Sequence, residues 1–384
     1  MKQTIILYLS DMQSGGTEWF ALRLARGLKE KGLSPRFLVA QKKGSLLPLI
    51  QGEFDVTTLS ATKYQLFNLL GTLPAMIRFL RQQPSPVLIS GLPYLNIVAA
   101  IAKVFCGKAL HLIVVEHMRL GPPLSFSGFF KQASKLALTW LYQRLADAVV
   151  CVSKTVKDDM RQLGASSHSR AALIYNPLIP PNFEALAQRP VDHSWLLDKT
   201  QPTLLAVGRL LPVKDYPTLL RAFAQVLQTK PARLIILGEG EERASLEALI
   251  STLSIQSSVS LAGETDNVFP FLKAADLLVL ASTSEAFGNV IVEALACGTP
   301  VVSTDCGGPR EILQASLYGT LVAASNPSEM AKAILAALET SPDKEKLKER
   351  GLSFSVENAV NAYTRLFQAA ASAASRRDTA IDAK

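Results

Sequence analysis

Cysteine, histidine and tryptophan are scarce in this chain: four, four and three among 384 residues. The cysteines, Cys106, Cys151, Cys297 and Cys306, include no CxxC pair, and no histidines cluster with them. Such spacing builds neither a disulfide framework nor a zinc site, and it suits a reducing compartment. The longest nearly apolar run, LNIVAAIA at residues 95–102, falls far short of the roughly 20 residues that span a bilayer. The N-terminal MKQTIILYLSDM turns polar early and shows no small-residue cleavage site, so it reads as a buried strand and not an export signal. The dinucleotide fingerprint GxGxxG is missing, which removes the case for a nicotinamide or flavin cofactor. No DxD-like acidic pair stands at a suitable turn; Asp158 and Asp159 are adjacent on an expected surface helix.

What is present is a repeating rhythm. With 48% hydrophobic and 19% charged residues the chain is globular, and its length suits two domains of roughly 150 to 200 residues each. The runs TIILYLS, RFLVA, FDVTTLS, VLISGL, HLIVVEH, AVVCVS and ALIYNP alternate with helix-length segments near residues 17–31, 66–82, 94–105 and 128–145. Continuous apolar strands separated by amphipathic helices imply an α/β fold with a parallel sheet covered on both faces. From Asn176 to Pro202 the rhythm lapses into an irregular stretch with five prolines. It reads as an interdomain connection, residues 177–201, after a first domain of residues 1–176. The rhythm restarts with TLLAVGRL, RLIILGEG, VSLAGE, DLLVLAS, PVVSTD and TLVA, giving a second Rossmann-like domain over 202–355. A helix near 356–374 and a tail expected to fray complete the chain.

Charge is unevenly spread. Residues 1–176 hold 21 Lys and Arg against 9 Asp and Glu, a net +12; the remainder holds 19 against 23, a net −4. A basic first half attracts an anionic partner, such as a membrane surface, a phosphorylated lipid or an acidic glycan, unless it is only a solvated face. Nucleic acid is not expected, because no binding module or aromatic platform accompanies the charge. Phe126, Phe129, Phe130 and Lys131 form either core packing at a helix start or an interfacial foot for a lipid surface.

Ligands of open parallel sheets bind where strands end and helices begin. The first such turn, SDMQSGGTE, places Gly15 and Gly16 where backbone N–H groups could meet an anion, or where a tight turn needs them. His117 follows HLIVVE at a strand end, in reach of a ligand or as a structural histidine. Arg209 and Lys214, in VGRLLPVKDYPTLLRAF, could neutralise a diphosphate by forked hydrogen bonds and a mobile point charge. The densest stretch is SEAFGNVIVEALACGTPVVSTDCGGPREIL, residues 284–313. Glu285 belongs to its turn, while Glu293 interrupts an apolar helix, which suits a specific hydrogen-bonding task.

Together, SGGTE, VGRLLPVKDYPTLLRAF and the embedded EAFGxxxxEAxAxGxPVV pattern resemble family 4 of the retaining glycosyltransferases, over essentially the whole chain. The resemblance implies the GT-B fold, two facing Rossmann-like domains with an interdomain cleft. It implies an acceptor-binding first domain, on which the C-terminal helix packs back, and a second domain that binds a nucleotide sugar. By the same resemblance Arg209 and Lys214 hold the diphosphate, Glu293 the ribose, and Glu285 with Ala286, Phe287 and Gly288 the donor sugar. Gly15 and Gly16 approach the phosphate, and His117 meets the donor sugar. The catalytic group implied is His117, Glu285, Arg209 and Lys214. A UDP-sugar is the expected donor, a GDP-sugar the alternative; no metal and no further cofactor is expected. The acceptor is a glycan or lipid-linked intermediate of cell-surface polysaccharide, lipopolysaccharide or glycolipid synthesis, met by a cytoplasmic enzyme peripheral to the inner membrane face. Two other readings share the architecture: a sugar-nucleotide 2-epimerase and a catalytically silent nucleotide-sugar-binding protein. A two-lobed periplasmic binding protein would need an export signal.

Overall fold

The computed structural model describes residues 3–13, 15–61, 63, 65–119, 126–162 and 171–381, with backbone alone at 126–135 and 370–381. Two compact units emerge, residues 1–177 with 356–384, and residues 178–355.

In the first unit seven strands form one parallel sheet: β1 Thr4–Leu9, β2 Arg36–Val39, β3 Asp55–Thr58, β4 Pro86–Ser90, β5 His111–Glu116, β6 Ala148–Cys151 and β7 Ala171–Leu173. Their spatial order is β3-β2-β1-β4-β5-β6-β7. β4 is buried from end to end and β5 from Leu112 onward, as the unbroken apolar runs require of a sheet covered on both faces. The chain leaves β1 toward one edge and returns to β4 to build the other. That reversal makes β1/β4 the topological switch point, the place where helix N-termini diverge and a ligand can enter.

In the second unit six parallel strands follow the order β10-β9-β8-β11-β12-β13. They are β8 Thr203–Val207, β9 Arg233–Leu237, β10 Val259–Gly263, β11 Leu277–Leu280, β12 Val301–Thr304 and β13 Thr320–Val322. Its switch point lies between β8 and β11. Leu219, Leu220, Phe223 and Val226 of the helix Tyr216–Leu227 pack with Leu204, Leu234, Ile236 and Leu277 in one buried cluster.

Three segments differ from the expected pattern. The single helix expected over 66–82 is two, Leu66–Leu70 and Leu73–Arg81, because Gly71 and Pro74 interrupt the hydrogen-bond ladder between them. Residues 178–201 belong to the second unit: they form the short helices Phe183–Ala187 and Ser194–Leu197, tied down by Asn267 Nδ2 to Leu186 O (2.9 Å) and Arg233 to Asp198 (2.7 Å). The last helix runs Val356–Ile381, beyond the expected end, through an alanine-rich stretch of high helix propensity. It packs on the helix Gly16–Glu30, where Gly27 leaves room for Val356 and Val360; an added Cβ would lie 2.6–2.7 Å from both.

Candidate functional site

In the second unit the carboxyl ends of the two switch-point strands meet through the loops they feed. β8 runs into Gly208 and Arg209, then into a single 3-10 turn, Pro212–Lys214, and the helix Tyr216–Leu227. Asp215 adopts a left-handed conformation (φ 47°) and caps that helix, accepting from Thr218 N (3.3 Å) and Thr218 Oγ1 (2.8 Å). Pro217 follows it in the first turn, so DYP is a start signal that also aims the preceding Lys214 back across the strand end. A Cβ on Gly208 would sit 3.2 Å from Lys214 Cε, which shows how closely the lysine stem crosses the backbone beside Arg209.

β11 delivers the partner. Lys214 Nζ lies 2.5 Å from Glu285 Oε1, and Ser282 Oγ donates to the same oxygen at 2.8 Å. Thr283 N donates to Val213 O (2.9 Å), which stitches the two loops together. Glu285 is fixed from its other side: its N donates to Cys306 O (3.1 Å), and its O accepts from Gly308 N (3.0 Å). Gly308 has no substitute there, since a Cβ would lie 2.2 Å from Phe287 O. Phe287 is buried, and Gly288 turns left-handed (φ 101°) to start the helix Asn289–Ala296 that carries the buried Glu293. Gly288 therefore breaks the helical path between Glu285 and Glu293. Arg209 is exposed, and its side chain has no ion pair or hydrogen bond among the described residues. The arrangement presents one uncommitted guanidinium, one ammonium with donors to spare, and a carboxylate whose Oε2 takes no hydrogen bond among the described residues.

Two residues outside the sequence expectations complete this edge. Tyr216 donates its hydroxyl to Gly208 O (2.8 Å), and Ser282 orients Glu285. Burial, then the Glu285 charge, pushes the Tyr216 phenol well above its ordinary range, so it stays a neutral donor. Burial likewise raises the Cys306 thiol to about 11 and the Cys297 thiol to about 12, which leaves no thiolate nucleophile here at neutral pH. Asp158 and Asp159 are spent in ion pairs with Arg161 (3.1 Å) and Arg119 (3.3 Å). Among the described residues no group of three or more metal-ligating side chains occurs.

The first unit's switch point gathers Gly15, Gly16 and His117. The β1 loop is held by Met12 N to Lys43 O and Leu46 N to Met12 O, each 2.9 Å. Gly15 caps the helix Gly16–Glu30 in extended conformation, and the Glu18 carboxylate folds over it: a Cβ on Gly15 would meet Glu18 Oε2 at 2.4 Å. An anion approaching that helix start must displace or share with Glu18. His117 stands just past β5, with Nε2 shielded and without a hydrogen-bond partner among the described residues. Desolvation alone lowers its pKa to about 4, so the imidazole is neutral at pH 7. The side chains of Phe126, Phe129, Phe130 and Lys131 lie outside the described residues.

Comparison with known proteins decides the family. A Glycosyl transferase 4-like domain matches residues 15–177, and the Glycosyl transferases group 1 domain matches residues 188–354. The chain belongs to the family 4-like glycosyltransferases. A relative from Rhizobium meliloti, the lipopolysaccharide core biosynthesis glycosyltransferase LpsE, is 26% identical over 364 residues, 92% of this chain and 96% of that one. A Campylobacter jejuni relative is 31% identical over 245 residues, 64% of each chain, so the match spans under two thirds of its length. It is named N-acetylgalactosamine-N,N'-diacetylbacillosaminyl-diphospho-undecaprenol 4-alpha-N-acetylgalactosaminyltransferase. Among solved structures, Anabaena HepE in complex with UDP and glucose superposes with a TM-score of 0.78 at 20% identity, over 95% of this chain and all of that one. At that identity the likeness carries the fold alone, which is GT-B. None of these glycosyltransferases favours an epimerase.

Proposed function

We propose that this glycosyltransferase retains the anomeric configuration and moves a hexosyl group from a UDP-sugar, with a GDP-sugar second, onto a glycan or lipid-linked acceptor of lipopolysaccharide, surface polysaccharide or glycolipid. The observation that carries the reading is the Lys214–Glu285 pair at the second sheet's switch point, with the exposed Arg209 beside it. Cations and a carboxylate held on adjoining loops suit a ligand that carries both negative charge and hydroxyl groups. Arg209 and Lys214 take the diphosphate; Glu285 Oε2 and the Ala286–Gly288 backbone take the sugar; Glu293 takes the ribose. In the first unit, Gly15 and Gly16 are assigned to a phosphate oxygen once Glu18 moves aside, and neutral His117 to a sugar hydroxyl. UDP is favoured because HepE was solved with it, and a lipid-linked acceptor because the Campylobacter relative is named for one.

The chemistry follows from the charges. The acceptor oxygen approaches the anomeric carbon on the face the diphosphate leaves. As the old carbon–oxygen bond breaks and the new one forms, a diphosphate oxygen takes the hydroxyl proton. Arg209 and Lys214 stabilise the charge growing on the leaving group, a preorganised electrostatic contribution. Fixed cations make a metal dispensable, so excess chelator leaves turnover unchanged.

The deciding experiment is a donor panel. UDP-, GDP- and ADP-sugars are added to purified protein while thermal stability and slow donor hydrolysis are followed. Stabilisation by one nucleotide class, about 2.7 kcal/mol at a hundredfold excess over Kd, supports the reading. Indifference to all three overturns it. NMR of the product's anomeric proton then reports retention or inversion.

A further inference from the structure

The donor role proposed for His117 needs an imidazole held in one orientation, yet its Nε2 has no hydrogen-bond partner among the described residues to hold it. Packing must do so instead. The edge-to-face contact of Phe20 with His117 has ring centroids 4.7 Å apart and planes at 77°. Such pairs are favourable beyond simple burial and restrict rotation of both rings. Phe20 itself is buried on the helix Gly16–Glu30, and Tyr363 of the last helix backs it at 6.2 Å and 66°.

Gly91 supplies the second restraint. It follows β4, beside the strand that delivers His117, and its missing Cβ leaves a gap that the imidazole enters. A Cβ there would lie 2.8 Å from His117 Cδ2 and 2.9 Å from Nε2. Real Cβ atoms do not tolerate such distances, so the ring could not keep this orientation beside any other residue. No left-handed conformation demands glycine at this position; the close approach of the imidazole does.

We infer that Phe20 and Gly91 are positioning residues that fix the His117 ring and turn its Nε2 edge toward the Gly91 backbone. Neither touches the reacting atoms; both act through His117. The inference rests on the donor role of His117 for its functional meaning and on the ring geometry alone for its structural content. An aromatic residue four positions past Gly16 and a glycine ending a strand thereby acquire a task beyond core packing. The last helix joins the same arrangement through Tyr363.

The test uses the full chain. Phe20→Leu removes the ring contact, and Gly91→Ala fills the gap without touching the core. The four histidine side chains are followed by NMR, with His117 assigned through His117→Gln. In the parent, His117 stays neutral down to about pH 5 and its resonances carry the ring-current shift of Phe20. Phe20→Leu admits water and raises the titration midpoint by about one unit toward the ordinary value. Gly91→Ala turns the ring and abolishes the ring-current shift. Tyr363→Phe keeps its ring and leaves both signals in place. In UDP-glucose hydrolysis, the two positioning variants lower kcat about tenfold while KM stays within about twofold, as misorientation without lost binding requires. If both variants lower the thermal midpoint but leave the His117 resonances unmoved, Phe20 and Gly91 are core residues and the inference fails. If the resonances move while His117→Gln hydrolyses the donor at the parental rate, the positioning stands and the donor role falls.

Discussion

Lys214 shows what a single side chain contributes at this edge. Its ammonium is held across Gly208 by the turn that Asp215 ends, and Glu285 neutralises it at 2.5 Å in a partly exposed setting. Ser282 still bonds Glu285 when the lysine is removed, so little stability is at risk. Lys214→Ala is expected to lower donor turnover about 10²- to 10³-fold, as loss of one preorganised charge-stabilising group does. Unfolding free energy should change by only about 1 kcal/mol. Turnover near the parental level would remove Lys214 from the diphosphate site. His117 makes the opposite kind of prediction, one of stability. Its folded pKa of about 4 lies below the ordinary 6.5, so between those values the unfolded chain binds the extra proton. The contribution of His117 is therefore complete above pH 6.5 and is lost as pH falls toward 4, on the order of 3 kcal/mol in all. Urea unfolding at pH 7 and pH 5 should show a steeper loss in the parent than in His117→Gln; equal slopes would place the imidazole in water.

Among the elements, close packing at glycine separates two outcomes of the same substitution. The helix Lys344–Leu352 lies on the helix Asn289–Ala296 through Gly351, whose Cβ would fall 2.2 Å from Ala296 N. Gly351→Ala must pry the two apart, at about 1–3 kcal/mol. Gly52, within the helix Leu47–Glu53, has no atom within 4 Å of the same position, so Gly52→Ala should stabilise by about 0.4–1 kcal/mol. Thermal melts of both check the pair, and equal effects would refute the packing argument. The alternation of apolar runs with helical segments was enough to read the parallel sheets, because a strand buried on both faces has no other sequence. The loops that join Lys214 to Glu285 were legible only through family resemblance: seventy-one residues separate the pair, and no local period reports a long-range contact. Phe20 and Gly91 left no sequence signal, since an aromatic on an amphipathic helix reads as core and a glycine after a strand reads as a turn. The short helices of the Pro-rich 178–201 stretch left no period to read, because tertiary packing on the second unit, and not local propensity, folds them.

At the scale of the whole molecule, folding sharpens the charge asymmetry. The last helix and tail join the first unit, which then holds 25 Lys and Arg against 12 Asp and Glu, a net +13; the second holds 15 against 20, a net −5. Among the described residues no helix is long and apolar enough to cross a membrane. A net charge of +13 on the first unit favours an anionic surface, where a lipid-linked acceptor of the kind proposed would present its sugar. Phe67, 87% exposed on the helix Leu66–Leu70, and Met118, half exposed just past β5, add apolar contacts that such a surface can bury. Each Lys or Arg near anionic lipid contributes about 1 kcal/mol, screened within a Debye length of about 10 Å at 0.1 M salt. Sedimentation with vesicles should thus show binding to phosphatidylglycerol-containing membranes at low ionic strength, none to neutral phosphatidylcholine, and release by about 1 M salt. Phe67→Ser should weaken what salt leaves behind without altering donor-induced thermal stabilisation. Equal sedimentation with neutral and anionic vesicles would assign the basic surface to solvation, and leave the acceptor to be met free in solution.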